Sequence, residues 1–117
     1  MNIKWFDAPE AHNYPAAESY LTLLFSPKKA RRIVERLVEA PISSFKSRDI
    51  FRASRLPLLG LSNARVHRDQ EKIMKGKSLS PILLVRRKKG LIIADGYHRM
   101  CAVYTFDQDA MIPCKIV

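Results

Sequence analysis

The sequence predicts a single small domain of the α+β class. Its 117 residues match the usual size of one compact domain, and 47% of them are hydrophobic, which is typical of a chain that folds. Helical patterns fill the first 40 residues, whereas short runs of Ile, Leu and Val alternate with helical patterns toward the carboxyl terminus. Helices come first in the chain, and the strands that follow do not alternate regularly with helices. This order favours an α+β arrangement.

Two helices are predicted before residue 41. The first spans Pro15 to Phe25, and the second spans Pro27 to Ala40, with Ser26 as its N-cap and Pro27 in the first helical position. In the second helix the apolar side chains recur at helical spacing, opposite a basic face. Trp5 and the other aromatic residues of the first 25 positions suit a flap that packs over the domain, with a homodimer interface as the alternative.

The pattern changes at Pro41, so residues 1–41 are predicted as a helical extension and residues 42–117 as the main domain. A short strand is expected over Ile42 to Phe45, and a turn of helix over Asp49 to Ala53. Asn63 is a suitable N-cap for a helix over Ala64 to Lys75, which Gly76 would end.

The carboxyl-terminal half predicts a hairpin, a helix and a last strand. The hairpin strands are Ile82 to Arg86 and Leu91 to Ala94, and Gly90 supplies a positive φ in the basic turn between them. The apolar helix Tyr97 to Phe106 and the strand Ile112 to Val117 follow.

The charge balance predicts an anionic partner. Lys and Arg number 21 against 11 Asp and Glu, which gives a net charge of +10 at pH 7. Nucleic acid, a nucleotide, a phosphorylated small molecule and an acidic protein would each satisfy this excess. No apolar run approaches the roughly 18 residues of a membrane span, and residues 1–13 lack the apolar core of a signal peptide, so we expect a cytoplasmic protein without a membrane partner.

The cysteines do not predict a metal site or a disulfide framework. Cys101 and Cys114 lie thirteen positions apart, which fits neither a CxxC redox pair nor a metal knuckle. We expect both to be reduced, buried thiols and predict no metal ligands.

The segment that carries chemistry is the junction between the second hairpin strand and the following helix. The strand ends at Asp95-Gly96, and the first turn of the helix carries Tyr97, His98 and Arg99. Free backbone N–H groups and the positive end of the helix dipole favour an anion there. A guanidinium can bind phosphate through two hydrogen bonds, so the pattern indicates a phosphate site.

A purely structural interpretation of the same residues stays open. Asp95 is also suited to cap the helix by accepting a hydrogen bond from the amide of Tyr97 or His98. His98 and Arg99 would then be solvated side chains.

The order of several segments resembles the ParB/sulfiredoxin superfamily. The matching segments are Pro81–Val85, the hairpin, Ala94–Ala102 and Ile112–Val117, and the resemblance covers residues 42 to 117. In that superfamily a strand beginning Pro-Ile is followed by Gly, two variable residues, Arg, and Ala three positions later, and then by a strand near Ile-Pro. The resemblance implies the superfamily fold, preceded here by the helical extension.

The resemblance also implies a nucleoside triphosphate, ATP or CTP, with or without Mg²⁺, as the ligand of this turn. Gly96 matches the motif glycine, His98 the histidine of the sulfiredoxin motif and Arg99 the shared arginine, with Tyr97 between them. Tyr97 stands where sulfiredoxin has its reactive cysteine, which argues against sulfinic acid reduction. Partition proteins favour Gly-Glu-Arg-Arg and follow this domain with a DNA-reading helix-turn-helix, which is not found here.

The Asp-Gly-x-His-Arg form is similar to the free serine kinase branch. We therefore expect a nucleotide- or phosphate-binding domain, with nucleotide hydrolysis or phosphoryl transfer to a small substrate as candidate activities. Asp95 is the candidate catalytic residue, as a Mg²⁺ ligand or as a base on an attacking hydroxyl. The alternative is a non-enzymatic, DNA-associated or partition-type regulatory module that uses the basic surface.

Two further basic groups are candidates for anion contacts. Arg48 and Arg52 precede the motif and are candidate second phosphate contacts, although a solvated face is the simpler interpretation. The hairpin turn supplies Arg86, Arg87, Lys88 and Lys89 as candidate nucleic-acid contacts. No aromatic residue interleaves this run, so the sequence gives no sign of base stacking.

Overall fold

The chain forms a four-stranded sheet with helices on both faces. The structure, a computed structural model, describes residues 2–117. Its elements are α1 (Asn13–Leu21), α2 (Pro27–Glu39), β1 (Ser43–Lys46), α3 (Ser47–Ser54), α4 (Ala64–Met74), β2 (Ile82–Val85), β3 (Ile92–Asp95), α5 (Tyr97–Phe106) and β4 (Met111–Ile116). The α+β class and the single domain are confirmed.

The sheet is mixed, with the strand order β1-β4-β2-β3. The predicted hairpin of β2 and β3 is confirmed as an antiparallel pair, and β1 pairs antiparallel with β4. Strand β4 pairs parallel with β2 and therefore runs antiparallel to β3, the strand that precedes it in the chain. Every residue of β2 is buried, as its position inside the sheet requires.

Alternate residues of β2 belong to two separate cores. Leu83 and Val85 face α1 and α2, whereas Ile82 and Leu84 face the layer of α3, α4 and α5. Helices α1 and α2 of the predicted extension therefore pack as a layer on one face of the sheet. The boundary between residues 41 and 42 stays a prediction, because packing does not say which part of the chain folds by itself.

The predicted helix caps are largely confirmed. Ser26 Oγ accepts a hydrogen bond from the Lys29 amide at 3.2 Å, and Asn63 Oδ1 accepts from the amides of Arg65 and Val66 at 3.0 and 3.2 Å. Gly76 follows α4 with a φ of 69°. These side chains and this glycine set the ends of α2 and α4 through local hydrogen bonds, which is why the sequence predicts them well.

The first helix ends earlier than predicted. It spans Asn13–Leu21 rather than Pro15 to Phe25, because residues 22–24 form a turn that leads to Ser26, the extended N-cap of α2. Leu23 is 80% exposed, so continuing the helix would bury little there.

The amino-terminal segment lies along the residues before β2. Trp5 forms a parallel bridge with Leu79, and the Phe6 amide donates to Leu79 O at 2.9 Å. Trp5 also packs on the core of α3, α4 and α5, which supports the predicted flap. Among residues 2–117, none of the helices has both the length and the apolar character needed to cross a bilayer.

Candidate functional site

The candidate site begins where β3 leaves the sheet. Leu83 of β2 pairs with Asp95, whereas the next residue, Leu84, pairs with Ile93, so Ala94 is an extra residue in β3. Such bulges turn a strand end and re-aim its side chains. Gly96 follows with a φ of 109° and begins α5 as its N-cap.

Packing and backbone geometry both require glycine at position 96. A Cβ there would lie 2.8 Å from Ile82 Cβ and 3.0 Å from Arg99 Nη2, and the φ of Gly96 is one that L side chains rarely adopt. Ile82 is fully buried and lies in the core. The glycine therefore brings the start of α5 close against β2, beside the guanidinium of Arg99.

The amino end of α5 has no side-chain cap among the described residues. The Met100 amide donates to Gly96 O at 2.9 Å, which is the first hydrogen bond of the helix. The amides of Tyr97, His98 and Arg99 precede that bond, so they have no acceptor within the helix. The alternative in which Asp95 caps these amides is wrong.

The carboxylate of Asp95 instead pairs with Arg99. Arg99 Nη2 donates to Asp95 Oδ2 at 2.8 Å, and the two side chains are only 17% and 15% exposed, in that order. The Nε atom of Arg99 is buried and has no hydrogen-bond partner among the described residues. The ion pair fixes the guanidinium at the start of α5 and leaves its Nε–H without an acceptor among the described residues.

Helix α4 brings charged residues to His98. Burial lowers the pKa of His98 from its ordinary value of 6.5, and the positive charges of Arg65 and Arg99 lower it further, while Asp69 acts in the opposite direction. Burial raises the pKa of Asp69 from its ordinary value of 3.8, although the neighbouring Arg99 and Lys72 oppose this. Burial of His98, together with its two cationic neighbours, therefore keeps the imidazole neutral near pH 7.

Asp69 and Arg65 are site residues that the sequence interpretation missed. Both lie on α4, and their spacing of four residues puts them on one helix face. The sequence shows that spacing, but no residue near it indicates that this face of α4 packs against α5. Gln70, also on α4, has a buried Oε1 atom that finds no hydrogen-bond partner within residues 2–117.

The side chain of Tyr97 contacts the loop between α3 and α4. Its hydroxyl donates a hydrogen bond to Pro57 O and ties the loop before α4 to the start of α5. Burial raises the pKa of Tyr97 and also that of Cys101, one turn further along the helix. Burial likewise raises the pKa of Cys114 to about 11, so both cysteines are buried thiols as predicted.

The structure does not bring Arg48 next to Arg99. The Arg48 amide donates to Gln108 O at 3.0 Å, and its guanidinium pairs with Asp109 at 3.3 Å. Residues 108 and 109 follow the carboxyl-terminal end of α5, whereas Arg99 lies in its first turn, and a helix of 10 residues is about 15 Å long. Arg48 therefore lies at the other end of this helix.

Arg52 lies instead beside the basic hairpin turn. A cavity of about 630 Å³ is lined by Arg52 and Arg55 of the α3 segment together with Arg86, Arg87 and Lys88 of the hairpin. We call this cavity the α3–hairpin cleft. These residues belong to two basic groups that are far apart in the sequence, and in the folded chain they line one cleft.

The site offers few ligands for a metal ion. Within residues 2–117, no group of three or more His, Cys, Asp or Glu side chains is placed to hold one. Mg²⁺ in nucleotide sites is held by one or two carboxylates and by phosphate oxygens. Asp95 is the carboxylate of the turn, and its Oδ2 is paired with Arg99, so its role as a Mg²⁺ ligand stays a prediction that depends on its other oxygen.

Together the fold and the site define a small α+β domain with an uncapped helix terminus, an arginine and a histidine at one end of its sheet. Comparisons with protein-family models, with curated proteins and with solved structures found no match.

Proposed function

We propose that this chain is a ParB/sulfiredoxin-like domain that binds the phosphate of a nucleotide, or of another phosphorylated small molecule, at the turn Asp95–Arg99. The observation that carries the proposal is the guanidinium of Arg99. It is held by Asp95 at 2.8 Å beside the uncapped amides of α5, and its buried Nε has no partner in the part of the chain that the structure describes. The order of motif residues in the sequence supports the same assignment.

Each group of the turn has a separate role in this proposal. The amides of Tyr97, His98 and Arg99 donate to phosphate oxygens along the axis of the helix dipole. Arg99 adds a charged donor, and Asp95 is a positioning residue that fixes the direction of the guanidinium. His98 contributes a ring N–H, and it gains a positive charge when an anion raises its pKa.

The pairing of Asp95 weakens its candidacy as the catalytic base. Arg99 Nη2 donates to Asp95 Oδ2 at 2.8 Å, so this oxygen could act as a general base only if Asp95 left Arg99. Asp69 is the other acid near the motif, and burial raises its pKa. Nucleotide hydrolysis and phosphoryl transfer remain proposals that depend on one of these two acids.

Thermal unfolding in the presence of anions tests the binding proposal. We expect millimolar ATP, CTP, ADP or inorganic phosphate, with or without Mg²⁺, to raise the melting temperature of the wild type. Arg99→Ala should abolish that rise. Arg31→Ala on α2 removes the same charge on the opposite face of the sheet and should retain it. A wild type that none of these anions stabilises would overturn the proposal.

A further inference from the structure

The α3–hairpin cleft continues into an apolar cavity. A second space of about 240 Å³ shares four lining residues with the cleft, which are Asp49, Ala53, Arg86 and Leu91. Its other walls are Phe45, Ile50, Leu84 and Ile116. A basic cleft therefore borders directly on an apolar cavity large enough for one flat ring system.

The cations of this cleft are not neutralised by the protein. Among the described residues, none of its four arginines or Lys88 forms an ion pair within 4.0 Å of a carboxylate. Asp49 is the acidic residue in the lining. Four of the five cations are arginine, which binds phosphate oxygens through two parallel hydrogen bonds. The cleft thus has an uncompensated positive charge of a kind that suits phosphate.

The walls of the cleft are fixed by backbone contacts. The Leu91 amide donates to Ala53 O at 2.8 Å and ties the hairpin to the end of α3. Arg55 ends α3 in the left-handed conformation with a φ of 60°, and a Cβ on Gly90 would come within 3.4 Å of Ser54 O. The basic side chains therefore project from two elements that are held together.

An aromatic ring is present, although the sequence around the turn has none. Phe45 is 37% exposed and comes from β1, which lies about 40 residues earlier in the chain. It lines the apolar cavity beside Arg86. An aromatic or apolar surface next to a basic groove is the combination that binds unstacked bases together with their backbone phosphates.

We propose that the α3–hairpin cleft binds single-stranded nucleic acid, with one base in the apolar cavity and the flanking phosphates on the arginines. The net charge of +10 and a pI near 10.0 support a polyanionic partner over a single small anion. A duplex keeps its bases stacked and would leave the apolar cavity empty. An acidic peptide would meet the same arginines, and it is one outcome of the test.

This proposal is independent of the phosphate site at Asp95–Arg99. The cleft lies at the hairpin turn, where β2 ends and β3 begins, whereas Asp95 and Gly96 lie at the other end of β3. Loss of one site should therefore leave the other intact.

Fluorescence anisotropy with labelled oligodeoxythymidine of about 12 nucleotides tests the proposal. At about 50 mM salt we expect binding that weakens as salt rises. The double variant Arg86→Ala/Arg87→Ala should lose about tenfold in affinity and reduce the slope of log affinity against log salt by about 1.4. The control Arg31→Ala/Arg32→Ala removes the same charge from α2 and should change the affinity little. Arg99→Ala should bind the oligonucleotide as the wild type does.

Two variants test the apolar cavity. Phe45→Ala should lower the affinity by roughly tenfold without changing the salt slope, because it removes a ring and no charge. Ala53→Leu fills space shared by the two cavities from an exposed position and should have the same effect. Circular dichroism and melting curves for each variant separate a loss of binding from a loss of fold.

Four results would overturn the proposal. They are no binding at low salt, equal binding of a duplex of the same length, equal competition by polyglutamate, and equal loss of affinity in the α2 control. Equal competition by polyglutamate would assign the cleft to acidic peptides instead.

Discussion

Asp95 and Arg99 form an ion pair of 2.8 Å across the first turn of α5, at the point where β3 ends. Both side chains are largely buried, so water screens the pair less than it would an exposed one. The pair orients the guanidinium and also places a negative charge beside the proposed phosphate. We therefore expect Asp95 to stabilise the fold and to weaken anion binding. Unfolding free energy and sulfate affinity measure these two effects separately.

Asp95→Asn should bind sulfate several-fold more tightly than the wild type, because the variant removes a negative charge near the anion. Its free energy of unfolding at pH 7 should also be about 1–3 kcal/mol lower, because Arg99 loses its ionic partner in a largely buried position. Calorimetric titration and urea unfolding measure the two effects. Asp7→Asn, which changes the same charge at an exposed position, should alter neither. Weaker sulfate binding in Asp95→Asn would contradict the expectation that the charge of Asp95 opposes the anion more than its bond to Arg99 assists binding.

Gly96→Ala should lower the free energy of unfolding by about 2–4 kcal/mol, because the new Cβ meets Ile82 and the φ of 109° is strained for alanine. Gly60→Ala is the matched control, since a Cβ at that position meets nothing within 4 Å. Urea unfolding of both variants checks the difference. Equal stability of the two would show that the turn can relax.

Sulfate binding should strengthen as the pH falls below 6.5 toward about 5.5. The folded protein holds the pKa of His98 below its ordinary value of 6.5, so without ligand the unfolded chain takes up the proton more readily and stability falls with acid in this range. A bound anion favours protonated His98, and sulfate itself does not titrate there. Titrations at several pH values measure this dependence.

His98→Gln should remove most of that pH dependence. It leaves Arg65, Asp69 and Arg99 in place, so any pH dependence that remains comes from groups other than His98. An unchanged pH profile in His98→Gln would place His98 outside the anion site.

Tyr97→Phe should cost about 1 kcal/mol of unfolding free energy, because Pro57 O loses its hydrogen-bond donor. The backbone amides of residues 58–62 should then exchange hydrogen faster, since the hydroxyl ties this loop to α5. Tyr20→Phe removes a hydroxyl from a ring that is 41% exposed and should change neither quantity. Unchanged exchange in the loop would mean that other contacts hold it.

Local signals in the sequence predict most of the elements. Helix α5 matches its predicted bounds, and Ser26, Asn63 and Gly76 mark helix ends through hydrogen bonds or backbone geometry within a few residues. The hairpin of β2 and β3 is local as well. These interactions join residues that are close in the chain, so the local sequence is enough to predict them.

Contacts between distant segments could not be predicted in the same way. The parallel pairing of β2 and β4, the approach of Asp69 to His98 and the meeting of Arg52 with Arg86 each join residues far apart in the chain. Apolar periodicity indicates that a face is buried, but it does not indicate which element covers it. The candidate turn was therefore found from sequence, whereas its α4 neighbours and the α3–hairpin cleft required the fold.

An amide chemical-shift titration of the isotope-labelled protein with ATP tests the central claim most directly. A phosphate bound at the start of α5 predicts that the largest shifts occur at the amides of Gly96, Tyr97, His98 and Arg99, and that Arg99→Ala removes them. Largest shifts at Arg52, Arg86 and Arg87, or no saturable shifts at the start of α5, would contradict the assignment of this turn as the phosphate site.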